Sequence, residues 1–447
     1  MRFLALLLIL VAVPAFLFML RSKRGYRTAC FLLGILPFCL NALNLDFAIV
    51  NWAAWPGYAK GLVVTILDSL SLAFIIANRN VLSRLPFKVV FIAYFLAMSL
   101  SAFGSSTPMA AAFYPFQLLR IFALFLAVAL LMGRPEGLRW LVAGLGSAAI
   151  LQGLVTLTQR LDGVFQAPGT MAHQNMLGLM LHFVILPLFA VVLAGRPSKL
   201  VLAGVLLGLL AVALGASRAT IGFLGMGLVL LIGLSLWRST SQRKWKAVGA
   251  GVLAMILAAP LALSGLEQRS ESQNLEGSYH ERLAFERAAK LMLADNPMGV
   301  GANQYVVTAN LGGYSERAGV IWNAGSRAAH VHNLYLLTAA EGGWLGLLAL
   351  VALFAWPIIR GLEFGLRKVR DWRGDIVLGA TVALIVAAAH SLYEWIFVSY
   401  QAQYLFAIAL GLIAGSIRQQ AREQRAAKRR FRVLGPLHVG KACRAAD

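Results

Sequence analysis

Thirteen apolar runs dominate this chain, each covering most or all of a membrane crossing. They fall at 3–20, 28–45, 60–77, 86–104, 112–131, 138–157, 176–194, 199–214, 219–236, 246–264, 334–358, 375–393 and 402–417. A bilayer-spanning helix needs about 20 mostly apolar residues. Inside lipid, only helices and closed barrels satisfy their own backbone. The runs are continuous rather than alternating, which selects helices. Composition agrees, with 60% hydrophobic and 13% charged residues in 447, against about 25% charged in a soluble domain. The expected fold class is all-α, a polytopic membrane protein of about 12 (12–13) transmembrane helices. The first run, "MRFLALLLILVAVPAFLFML", has no clean small-x-small cleavage site before "RSKRGYR" and reads as an uncleaved anchor.

The formal charge of +22 could suggest nucleic acid. Here, however, Lys and Arg sit in short blocks between apolar runs, at 21–27, 78–88, 133–139, 195–199, 237–246, 360–373 and 422–432. All seven fall on one side of the expected membrane, the positive-inside pattern that marks the cytoplasmic face. No basic face interleaved with aromatics offers bases a stacking surface, so no nucleic-acid partner is expected. The longest connection on the other face, 265–333, carries six Lys/Arg against seven Asp/Glu, as a translocated loop would. The expected organisation is therefore N-terminal transmembrane helices over 1–264, a periplasmic loop over 265–333, C-terminal transmembrane helices over 334–417 and a basic cytoplasmic tail over 418–447.

Within the loop, Leu283, Ala284, Arg287, Ala288, Leu291 and Met292 recur at helical spacing and predict an amphipathic helix ending before Pro297. Gly299 and Gly301 then allow a tight turn. "GVGANQY" follows a helix rather than a strand and lacks a third glycine, so it is not a dinucleotide fingerprint. Cys30, Cys39 and Cys443 have no metal or disulfide spacing.

Candidate chemistry gathers on the non-cytoplasmic face. Arg218, in "LGASRATIGFLG", is a cation at a membrane edge away from the basic blocks. A snorkelling anchor is the alternative to function there. Arg282 and Arg287 are five residues apart, so only one easily faces a site, and spacing does not choose. His330 and His332 alternate on "HVHN" before the run at 334, and either could serve as a general base. Asn333 could fix the ring's orientation. His173 and Asn175 open the span after the loop 158–175, near Arg160 and Asp162. No paired carboxylates stand out, and the histidines show no zinc spacing. Arginine forks suit phosphate oxygens. An imidazole suits proton abstraction from a hydroxyl. Together they point to group transfer from a lipid-linked phosphate donor.

"SRA" at 217–219, "ERLAFERAAKLMLADNPMGVGANQY" at 281–305 and "HVHNLYLLTAAEGGWLG" at 330–346 resemble the O-antigen ligase and O-antigen polymerase superfamily of bacterial inner-membrane glycosyltransferases. The resemblance covers about the C-terminal two-thirds. It implies a GT-C-like helical fold of about twelve spans, one fewer than counted, with a periplasmic loop capping the site. It implies transfer of polysaccharide from undecaprenyl diphosphate to lipid A–core oligosaccharide, inverting and without metal or cofactor. Arg218 and Arg282 look like the diphosphate-binding arginines, which resolves the choice that spacing leaves open. His332 looks like the essential histidine, and His330 matches less closely. "GTMAHQN" looks more like the polymerase and protein-glycosylating branches. A protein-glycosylating member would usually be longer. A transporter, the rival from another class, would call for charges deep in the spans and often for repeated halves. Neither is evident in the sequence, where Asp68 and Glu394 are the acids to check.

Overall fold

The computed structural model describes residues 2–79, 85–195, 197–253, 256, 275–367 and 372–434. In chain order it comprises α1 (Arg2–Arg21), α2 (Lys23–Ile35), β1 (Asp46–Asn51), β2 (Gly61–Thr65), α3 (Ile66–Ala77), α4 (Lys88–Phe103), α5 (Pro108–Leu131), α6 (Pro135–Leu161), α7 (Gln174–Leu193), α8 (Lys199–Leu214) and α9 (Arg218–Arg238). Then follow α10 over 242–253, α11 (Leu275–Asp295), α12 (Tyr305–Leu311), α13 (Tyr314–Ala318), α14 (Ala324–Ala328), α15 (Leu334–Gly365), α16 (Trp372–His390) and α17 (Tyr400–Leu434). Among the described residues, seven helices (α5, α6, α7, α9, α15, α16 and α17) are long and apolar enough to cross a membrane, with shorter apolar helices beside them. Helix occupies part of every one of the thirteen runs, and the chain is an all-α polytopic membrane protein.

Two runs are cut differently from the sequence expectation. The run at 28–45 is α-helical only to Ile35, after which Leu36–Phe38 form a single 3-10 turn at Pro37, whose ring nitrogen has no N–H to carry the α-helical bonding on. The run at 60–77 opens as a strand. "DFAIVN" and "GLVVT", rich in β-branched residues, pair antiparallel from Asp46↔Thr65 to Asn51↔Gly61. Thr65 and Asp68 then form a capping box that starts α3.

The basic blocks meet at one end of the bundle. Arg27 makes a bidentate pair with Glu136, and Lys23 joins it at 3.3 Å. Arg238 pairs with Asp375 at 2.8 Å, and Arg373 is bidentate to Glu423 on α17. Of the block at 78–88, residues 80–84 lie outside the described residues.

The expectation of spans free of deep charge does not hold. Arg120 of α5 and Asp68 of α3 are joined at 2.7 Å, and the guanidinium also donates to Tyr404 of α17. Neither ion is left alone in the interior, which is what makes their burial tolerable.

A buried acid, Glu341, fastens the segment after α11 to the bundle. It lies on α15 just before Gly343, whose φ of +63° breaks that helix. The carboxylate accepts from the backbone N–H groups of Asn303 at 2.9 Å and Tyr305 at 3.0 Å and from the Tyr58 hydroxyl at 2.6 Å. Val300 N–H bonds the carbonyl of Ala340, and Gly301 N–H bonds that of Glu341. Gly299 and Gly301 sit at φ of +87° and +110°. A side chain at Gly299 would collide with the Glu341 carbonyl. Asn303, at φ +62°, donates to the carbonyls of Ala59 and Ala110 and so ties the hairpin loop and α5 to the same point. The expected turn after α11 is thus a plug seated in the kink of α15.

Candidate active site

α7, α11, the link at 329–333 and the turn after α16 converge on one carboxylate. Glu394, 5% exposed at its side chain, lies 3.3 Å by Oε2 from Nδ1 of His332. Its Oε1 accepts from Asn175 Nδ2 at 2.8 Å and lies 4.0 Å from the Arg282 guanidinium. The cluster is at the end opposite the basic blocks.

Each partner arrives through ordinary local structure. Asn333 caps α15, its Oδ1 accepting from the N–H groups of Tyr335 and Leu336 at 3.0 Å each. His332 therefore emerges at the lip of that helix. Asn333 orients a helix end rather than the imidazole, contrary to the expectation. His173 caps α7, with Nδ1 accepting from Asn175 N–H at 3.1 Å, and that cap sets Asn175 toward Glu394. α11 buries Ala284, Phe285, Ala288, Ala289 and Met292. Its buried face is rotated about one residue from the expected stripe, because Phe285 rather than Arg287 faces inward. Phe285 lies against the His332 ring, with centroids 6.4 Å apart. The rotation brings Arg282 toward Glu394. It leaves Arg287 exposed, bonded only to the Leu283 carbonyl of its own helix among the described residues.

The remaining candidates divide cleanly. His330 is buried among aromatic rings, 4.4 Å from Trp395, 5.7 Å from Tyr58 and 6.3 Å from Tyr305 by centroid. Burial pushes its pKa down to about 3, helped by nearby His332 and Lys60, so it is neutral packing at working pH. Arg160 fastens its own loop by donating to the Phe165 carbonyl at 3.0 Å and lying over that ring. Arg218 opens α9 directly after its cap, Ser217. It is exposed and makes no side-chain bond among the described residues. α9 packs its next turn, at Phe223, against His390 and Tyr393, immediately before Glu394. Arg218 thus stands at the same end of the bundle, free to take an anion.

The electrostatics favour an ionised carboxylate. Burial alone would raise the Glu394 pKa. The bond from His332, whose N–H edge points its positive end at the carboxylate, and the charge of Arg282 outweigh it and hold the carboxyl below its ordinary range. An ionised carboxylate can only accept. The bonded Nδ1 must then carry the proton, which leaves Nε2 of neutral His332 with its lone pair available. Among the described residues, no three His, Cys, Asp or Glu side chains gather as a metal ion requires. Arg282, 44% exposed at its side chain, keeps donors to spare for a ligand.

Residues 202–351, about a third of the chain, match the family model described as O-antigen ligase. Over this stretch the chain is similar to the O-antigen ligase family, which supports the superfamily resemblance carried by the sequence motifs. No curated protein matches the chain. The O-antigen ligase match contains Arg218, Arg282 and His332, and also Glu341 and the plug at 299–305. It does not reach Asn175, which the sequence places with His173 at the start of its span without assigning it a role, or Glu394, which the sequence offers only as an acid to check against a transporter. The one signal of Glu394 was being the single acid in the connection at 394–401.

Proposed function

We propose that this protein transfers a polysaccharide from undecaprenyl diphosphate to a hydroxyl of lipid A–core oligosaccharide, at the periplasmic face of the bacterial inner membrane. The observation that carries this reading is the bonded group of His332, Glu394 and Arg282 at the membrane end opposite the Lys/Arg-rich blocks. The acceptor hydroxyl approaches Nε2 of His332. Its oxygen attacks the anomeric carbon while the imidazole takes its proton. The bond from that carbon to the diphosphate oxygen breaks, and the electron pair leaves with the diphosphate. Attack opposite the leaving group inverts the centre.

Glu394 holds the ring in the tautomer that leaves Nε2 basic and steadies the imidazolium that forms, as the acid of a catalytic triad does. Proton removal of this kind is worth about 10²–10⁴-fold. Arg282 and Arg218 meet the charge growing on the diphosphate, a contribution of about 3–4 kcal/mol per well-placed donor. No step needs a metal.

The test is transfer by purified protein in detergent, with and without EDTA, for His332→Ala, Arg218→Ala and Arg282→Ala. Loss in all three variants with chelator indifference is expected. Full activity in His332→Ala, or inhibition by EDTA, would refute the mechanism. Supplying lipid A–core with the lipid-linked glycan separates a ligase from a polymerase, which would lengthen the donor instead. A transporter would form no new covalent product.

A further inference from the structure

We infer that Trp322 is a sugar-stacking subsite for the glycan being transferred. The inference rests on the transferase reading above and extends it to a residue ten positions before His332.

Trp322 is 79% exposed, on the short link between α13 and α14. A lone exposed apolar residue needs no explanation, but this indole is mounted. The guanidinium of Arg327 lies 4.2 Å beneath its ring centroid. Arg327 is in turn fixed on several sides. It donates to Glu316, to Asn310 Oδ1 at 3.4 Å and to the Val320 carbonyl at 3.3 Å. Its own carbonyl accepts from Asn310 Nδ2 at 2.8 Å. One indole face is therefore backed by a held cation, while the residue as a whole stays open. A Trp ring offers a large rigid contact area and little side-chain freedom to lose on binding.

The surroundings select the ligand class. The C–H face of a pyranose ring is flat and weakly apolar, with hydroxyls around its rim. Around Trp322 are the exposed amide of Asn323, the carboxylate of Glu316 and the hydroxyl of Ser326. That is a stacking face with hydrogen-bonding groups at its edge. A membrane surface fits less well. Seating the indole in hydrocarbon would drag the Arg327–Glu316 pair out of water, at a cost that a single Trp does not recover.

The placement suits a polymer running to the reaction centre. Ser326 of α14 bonds Glu281 of α11, the neighbour of Arg282. Residues 329–332 then lead directly from α14 to His332. A glycan with its reducing end at His332 can lay a later sugar on Trp322.

The experiment uses the full-length protein in nanodiscs. Oxidation of Trp322 by hydroxyl radicals is read by mass spectrometry, with and without lipid-free oligosaccharide released by mild acid from the donor. Protection by the oligosaccharide, lost in Arg327→Ala, is expected. Alongside it, Trp322→Ala should raise KM about tenfold for a donor of many repeats, the scale of one lost stacking contact. It should leave KM for a one-repeat donor and kcat unchanged, and Trp322→Phe should recover most of the loss. Oxidation unaffected by sugar would overturn the subsite, as would protection by the nanodisc alone relative to detergent. Protection without any transfer would leave the subsite standing and remove the transferase reading instead.

Discussion

Glu394 and His332, sixty-two residues apart in sequence, meet at 3.3 Å through the only imidazole nitrogen that faces the carboxylate. Replacing Glu394 by Gln keeps the size and removes the charge that fixes the tautomer. We expect kcat to fall about 10–100-fold, the usual cost of losing a partner that orients a functional histidine. His332→Ala should fall further, and the double variant little below His332→Ala. Steady-state transfer rates for the three proteins decide this.

The arginines should separate by chemistry. Arg282→Ala is expected to lower kcat about 10²-fold or more, as removal of a donor to a developing anion does. Arg282→Lys keeps charge but not the planar fork, so it should recover only part of the loss. Arg287, turned onto its own helix, should tolerate Ala with under about twofold change, within the small range of surface substitutions. Equal losses at 282 and 287 would contradict the placement of α11.

His330 makes a pH prediction. Its folded pKa is about 3, and the unfolded value is about 6.5. Between these the unfolded chain binds more protons, so stability rises with pH through that window and falls on acidification from about 6.5 downward. His330→Phe should flatten this part of the profile while leaving His332 in place. Thermal midpoints in detergent between pH 4 and 8 provide the check. For Glu394 the sign is the same, because its pKa is also lowered on folding and the unfolded chain again binds more protons. Its depressed pKa stabilises the fold above the ordinary carboxylate range, and that contribution disappears only as pH drops through the folded value.

Glu341 should matter for seating the plug. Glu341→Ala leaves the N–H groups of Asn303 and Tyr305 without their acceptor. The expected cost is on the order of 3 kcal/mol, since bonds to charged groups are each worth about 1.5–3 kcal/mol. Limited proteolysis of the segment 296–333 should accelerate at temperatures where the helical bundle is still folded. Protease resistance equal to the parent would show that the plug is held by other contacts.

The Arg120–Asp68 pair predicts non-additivity. Asp68→Ala strands a buried guanidinium and should cost about 3–5 kcal/mol, whereas Asp68→Ala with Arg120→Met should cost markedly less. Unfolding midpoints of the single and double variants test this.

The spans were legible because apolar length is a local property, and every run contains helix. The hairpin was not, because "LVVT" is as apolar as the helix it precedes and only pairing with "DFAIVN" distinguishes it. His332 and Arg282 were visible as residue types on the right face, although spacing alone could not prefer 282 to 287. That choice turns on how α11 rolls to set Phe285 against the His332 ring and its carbonyl on the Tyr305 hydroxyl, which is a tertiary matter. Glu394 is a lone acid with no periodic partner, and its meaning depends on a histidine far away in the chain. Glu341 looked like part of a span because its ligands are backbone N–H groups, and these leave no mark in sequence.

The plug seated on Glu341 has a consequence for biosynthesis. Residues 303 and 305 leave the ribosome 38 and 36 residues before the acid that binds them. The connection between α10 and α15 must therefore reach its side of the bilayer unanchored and wait for the next helix to insert. Until α15 arrives there is no pocket for the turn at 299–305, and the cluster around Glu394 cannot assemble. A chain that stalls or is truncated before Gly343 would carry Arg218, Arg282 and His332 and still be inert.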